Sequence, residues 1–129
     1  METQRRSGNI LTWYTDGVMG RINDEPTITE LLDGKPAAKV WMRDGAQHRT
    51  NGAAVVLLEC GVVHGVEFWA KGIQLDTEAV LKWVMSKGYT FDEALGLAYH
   101  GWEDRLRLQF IVAFRLVGLG SPPTIILAG

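Results

Sequence analysis

Three tryptophans recur at one interval, at positions 13, 41 and 69, so each stands 28 residues after the last. Their surroundings recur with them. Trp13-Tyr14-Thr15-Asp16-Gly17 returns as Trp41-Met42-Arg43-Asp44-Gly45, and in shortened form as Trp69-Ala70-Lys71-Gly72. A period of this length implies one supersecondary unit copied and stacked, because a single unit cannot bury its own apolar face. Such units build surfaces, so the pattern speaks to architecture before it speaks to function.

Glycine punctuates the same region. Asp16-Gly17, Asp33-Gly34, Asp44-Gly45, Cys60-Gly61 and Lys71-Gly72 separate short runs rich in Val, Ile, Thr and Trp. Asp-Gly favours tight hairpin turns, since both residues reach positive φ at low cost. The spacing predicts antiparallel strands over residues 10–15, 26–32, 37–42, 53–59, 62–70 and 73–75. Laid on each other, the two full copies place Arg21 and Arg49 eight residues past their tryptophans, and Pro26 and Ala54 thirteen past. Thr27-Ile28 then matches Val55-Val56, and the next turn slips by one residue, Gly34 against Gly61. A slip of one turns side chains to the other face unless a bulge absorbs it, and Gly65 is the expected bulge.

After Leu75 the pattern becomes helical. Asp76 can cap a helix to about Lys87, with Val80, Leu81, Val84 and Met85 on one face and Gly88 as the stop. Thr90-Phe91-Asp92-Glu93 has the form of a capping box for a second helix, which Gly101 kinks or ends. The stretch 104–117 reads as helix or strand. Residues 124–127 are apolar and need cover. The expected organisation is a single domain over 1–129: a flexible N-terminus (1–8), a β-repeat region (9–75), a helical cap (76–118) and an apolar tail (119–129).

A length of 129 residues suits one modest core, and 47% apolar against 22% charged residues is an ordinary globular balance. A net charge of −2 disfavours a nucleic-acid partner. Cys60 is the single cysteine, so no internal disulfide forms, as in a reducing compartment. Met1 to Gly8 lacks the apolar run of a signal peptide, and the longest apolar stretch, 110–119, is broken by Arg115. These features predict a cytoplasmic protein with no membrane partner.

The string from Trp41-Met42-Arg43-Asp44-Gly45 through His48-Arg49 and Asn51-Gly52-Ala53-Ala54 to Val55-Val56 resembles a degenerate repeat of phage and prophage proteins, related to MORN-type β-hairpin repeats. That pattern runs Trp, two variable residues, Asn or Asp, Gly, then His-Arg, an acidic residue or Asn, Gly-Pro-Ala and an apolar strand. Ala53 stands where the pattern has Pro, Gly20-Arg21 replaces His-Arg, and the third copy is a stub. The resemblance spans about residues 10–75 and carries no catalytic residues. It implies a phage accessory protein, located in the host cytoplasm, that binds a host protein or complex.

Candidate chemistry is sparse. Each repeat Trp is expected in the core, where burial is worth about 3 kcal/mol or more, with a ligand-stacking platform as the alternative. His48-Arg49 and Arg21 are the candidate ligand or partner-binding residues, because Arg offers a planar fork to carboxylate or phosphate. The competing reading is structural, with Arg donors on loop carbonyls or on Asp44. His48, His64 and His100 lack metal-ligand spacing, so no metal or cofactor is expected. Adjacent carboxylates at 24–25, 92–93 and 103–104 do not face one another on a helix. Arg105, Arg107 and Arg115 form a small basic cluster whose expected role is to shield an apolar helix.

The expected fold is α+β: antiparallel β-hairpin repeats of 28-residue period forming one sheet, covered by two C-terminal helices, with Trp83 and Trp102 packing onto it. The expected function, implied by the resemblance, is non-enzymatic binding of a host protein that inhibits a host-defence complex. The alternative is an oligomer that sequesters a small anionic ligand with Arg21, His48 and Arg49. A hydrolase using His100 with Glu103 or Asp104 ranks last. The open sheet edge and the apolar tail predict a homo-oligomer.

Overall fold

The computed structural model describes residues 1–21 and 23–110. The chain is mixed α and β, with antiparallel strands first and helices after. Strands β1 (Glu2–Ser7), β2 (Ile10–Thr15), β3 (Val18–Met19), β4 (Ile28–Leu32), β5 (Lys35–Val40), β8 (Val55–Glu59) and β9 (Val62–Glu67) make one sheet. Its order is β1-β2-β4-β5-β8-β9, with β3 beside β2. Two short ribbons accompany it: β6 (Met42–Arg43) with β7 (Ala46–Gln47), and β10 (Trp69–Ala70) with β11 (Ile73–Gln74). Helices α1 (Thr77–Ser86) and α2 (Phe91–His100) follow, and residues 104–110 are helical.

The turns form for the reason the dipeptides suggest. Asp16, Asp33, Asp44, Cys60 and Lys71 take φ of 50–53°, and each is followed by a Gly at 78–83°. Positive φ at both central residues is the type I′ geometry, whose twist matches the strands it joins. Three of these turns tip short hairpins whose equivalent positions are Trp13, Trp41 and Phe68, not Trp69. Their carbonyls accept from the N–H of Gly20, His48 and Leu75 in turn, so the interval to the third is one residue shorter than the sequence spacing suggests. The hairpins lean on one another: Gly45 N–H donates to the Met19 carbonyl at 2.9 Å, and Gly72 N–H donates to the Gln47 carbonyl at 2.9 Å.

Matching backbone bonds mark Trp13 and Trp41. Trp13 donates to the Thr27 carbonyl at 2.8 Å, and Trp41 to that of Ala54 at 2.7 Å. Thr27, not Pro26, therefore stands with Ala54. The extra residue lies in the loop before the strand, between Arg21 and Thr27, and not in the hairpin. A bulge does sit beside Gly65, where the register shifts between Leu57 and Leu58. The earlier hairpin shifts equally between Glu30 and Leu31. Both hairpins carry the irregularity, so it does not absorb the slip.

The first eight residues are not a flexible N-terminus. Glu2–Ser7 pairs with β2 over six consecutive residues, because a two-residue turn at Gly8-Asn9 folds it back in register.

Buried apolar residues lie entirely in the later part of the chain. Among the described residues, no apolar side chain before Trp41 is buried. The core joins Val56, Leu58, Val66 and Phe68 of the sheet region to Val80, Leu81, Trp83 and Val84 of α1, Ala94, Leu95 and Ala98 of α2, and Trp102, Leu106 and Phe110. Trp102 stacks on Phe68 with ring centres 5.8 Å apart, and Trp83 stacks on Phe110 at 6.1 Å. Asp76 caps α1 by accepting from Ala79 N–H. Thr90 and Glu93 close the expected capping box on α2, and those bonds hold the exposed Glu93 carboxyl below its usual pKa. Gly101 ends α2 and does not merely kink it. Within the ambiguous stretch, residues 104–110 are helical, while the rest of it, Arg115 and the apolar tail lie outside the described residues. None of the helices described is long and apolar enough to cross a membrane.

Candidate functional site

Arg21 from one loop and His48-Arg49 from another line one open cleft of about 240 Å³. Arg43, Asn51, Asp24 and Arg107 line it too. Each loop is tied to the next hairpin: Arg21 N–H donates to the Met42 carbonyl and Arg49 N–H to the Trp69 carbonyl, both at 3.3 Å.

Arg49 is the anchor. Its guanidinium lies 4.0 Å over the Trp41 ring, a cation–π stack. Nε and Nη2 donate to the two carboxylate oxygens of Asp24 at 2.9 and 3.0 Å, a bidentate pair. Nη1 donates to the carbonyls of Ala53 at 3.1 Å and Ala98 at 3.0 Å. Ala98 lies in the last turn of α2, where carbonyls lack helical partners and favour a cation. The Arg49 donors are thus occupied by the fold, on Asp24 and not Asp44. The surrounding backbone fits closely. A Cβ on Gly52 would lie 2.5 Å from the Ala98 oxygen, and one on Gly101 2.6 Å from Asn51 Nδ2. Asn51 binds both neighbours: its Nδ2 donates to Asp24 at 2.8 Å and its carbonyl accepts from Trp102 N–H at 3.0 Å.

Arg21 repeats the stack with less around it. It lies 4.1 Å over Trp13 and pairs with Glu2 at 3.2 Å through Nε. His48 serves a turn. Its Nδ1 accepts from the Lys71 N–H at 3.0 Å, which needs the neutral ring. Burial, with help from Arg43 and Lys71 and against Asp44, holds its pKa below the usual histidine value.

The other sequence candidates are dispersed. His64 is exposed on β9, and Cys60 is exposed at a turn. His100 is exposed and stacks on Tyr99 at 4.6 Å, while Asp104 pairs with Arg107 at 2.6 Å. Sequence reasoning missed Asp24, Asn51 and Arg43 as cleft residues. The recurrence of Arg-x-Asn at 21–23 and 49–51 was the available signal. The chain matches no protein-family model, no curated protein and no solved structure.

Proposed function

We propose that the chain is a non-enzymatic protein-binding module of the phage accessory type, built from two copies of a Trp-centred hairpin unit, that docks a host protein on the uncovered end of its sheet. A single cross-strand row carries this reading. Val66 and Val56 are buried beneath the helical segments, and Lys39 follows at the margin, donating to the Tyr99 hydroxyl at 2.6 Å. The same row and face then continue through half-exposed Thr29 and Leu11 to exposed Arg6. Among the described residues, cover stops partway along one continuous face, and the part they leave bare is where a partner has room. Inhibition of a host-defence complex rests on the resemblance alone.

The test is a pull-down from host lysate with the wild-type chain and a Leu11→Glu variant. The expected result is one stoichiometric partner held by the wild type and lost by the variant. No stoichiometric partner, or equal retention by both, overturns the reading.

A second reading, sequestration of a small anion, draws on the convergence of Arg21, His48 and Arg49 on one cleft. Native mass spectrometry of the purified protein separates the two, since a co-purifying small-molecule mass favours the anion.

A further inference from the structure

We infer that β1 is a homotypic docking edge: two copies of this chain join their β1 strands antiparallel, with Gln4 facing Gln4 of the second copy across a two-fold axis. This stands independently of the partner proposed above, because it concerns the sheet edge and not its face.

The two edges of the sheet differ. The outer strand at one end, β9, is bulged at its pairing with β8 and has α2 against it. The outer strand at the other end, β1, runs in unbroken register and contains no proline. Among the described residues no strand pairs with its outer side. A regular, open edge is a template for another strand.

The direction of the backbone groups follows from bonds within the chain. In an antiparallel ladder, successive residues turn their N–H and C=O to opposite sides. Trp13 donates toward Thr27 and its carbonyl accepts from Gly20, so both its groups face away from β1. Gln4 sits opposite Trp13, so its own groups face outward. The Met1 carbonyl accepts from Asp16 N–H, which places Met1, Thr3, Arg5 and Ser7 inward by the same alternation. Three bonds therefore agree that Glu2, Gln4 and Arg6 present their backbone to the outside.

Charge then selects the register. A two-fold pairing centred on Gln4 sets Glu2 against Arg6 of the second copy, and Arg6 against its Glu2. All three outward residues pair, and opposite charges meet twice. Registers centred on Glu2, Arg5 or Arg6 put like charges face to face, which is unfavourable. A register centred on Thr3 sets Glu2 against the uncharged Gln4 of the second copy, so the attraction between Glu2 and Arg6 is lost. Glu2 is already held by Arg21 at 3.2 Å, so its carboxylate is in place before the second copy arrives.

Sedimentation velocity on the full chain, over a wide concentration range, tests the inference. The wild type should form a reversible dimer. Gln4→Pro removes an outward N–H that β2 does not use, so the fold should survive, checked by its circular dichroism and melting curve, while the chain becomes monomeric. Arg6→Glu and Glu2→Lys should each weaken self-association about tenfold or more. An equimolar mixture of those two variants should form a heterodimer, because every crossed pair is again opposite in charge. A wild type that is monomeric throughout, a Gln4→Pro chain that still dimerises, or a charge-variant mixture that stays monomeric overturns the proposal.

Discussion

Two arginines lie over two tryptophans at almost the same distance, yet one stack is core and the other is surface. Arg21 sits 4.1 Å from Trp13, and Arg49 sits 4.0 Å from Trp41. Trp41 is buried to 4% exposure and Trp13 is half-exposed. Arg49 also holds Asp24, Ala53 and the end of α2, whereas Arg21 holds Glu2. The local unit makes the stack in both places. The end of α2, docked against residues 49–53, turns one of them into a structural pin. Burial, and with it energetic weight, depends here on what covers a motif rather than on the motif.

That contrast sets a series of expectations. Trp41→Ala should cost about 4 kcal/mol by chemical denaturation, the range for large buried aromatics, while Trp13→Ala should cost about half as much. Equal losses would show that the two halves are equally packed in solution. Arg49→Ala should cost about 3 kcal/mol, because it removes a buried cation–π stack and the guanidinium donors to Ala53, Ala98 and Asp24, although Ala98 keeps the Ala53 N–H and Asp24 keeps Asn51. Arg21→Ala should cost about 1 kcal/mol, as for a partly exposed ion pair. A larger loss at Arg21 would contradict the assignment of the pin.

His48 gives a smaller, pH-dependent effect. Its folded pKa lies below the unfolded 6.5, so the unfolded chain binds more protons in the window between the two values. Its contribution is complete above the unfolded value and is lost as pH falls through that window. His48→Asn keeps an acceptor for Lys71 but cannot titrate, so its stability should fall less between pH 7 and pH 5 than that of the wild type. Parallel pH curves would remove His48 from the turn. The smallest effect belongs to Trp102→Phe. The buried Trp102 Nε1 has no partner among the described residues, so the substitution loses some buried ring area but no hydrogen bond, and it should change stability by no more than about 1 kcal/mol. A loss the size of Trp41→Ala would mean that a partner for this nitrogen exists in solution.

Some of this could be read from residues and some could not. The Asp-Gly turns and the capping box at Thr90 and Glu93 were readable because their chemistry acts within four residues. Strand β1 was not, since Glu-Thr-Gln-Arg-Arg-Ser carries no apolar alternation. It is a strand because β2 lies beside it. Arg49 was singled out, but its carboxylate is Asp24, 25 residues earlier in the chain, and Asp44 was merely nearer in sequence. The site of the one-residue slip was also misread, because equal spacing from Trp favoured Pro26 where the backbone bonds choose Thr27.

Local chain chemistry alone determined the turns, the helix caps and the alternation that makes hairpins, because those preferences involve neighbours a few bonds away. Which tryptophan is buried, which arginine is pinned and which sheet edge stays open were decided only when distant segments met. Helices α1 and α2 and the turn after them cover one end of a face that the strands alone would leave equally exposed along its length.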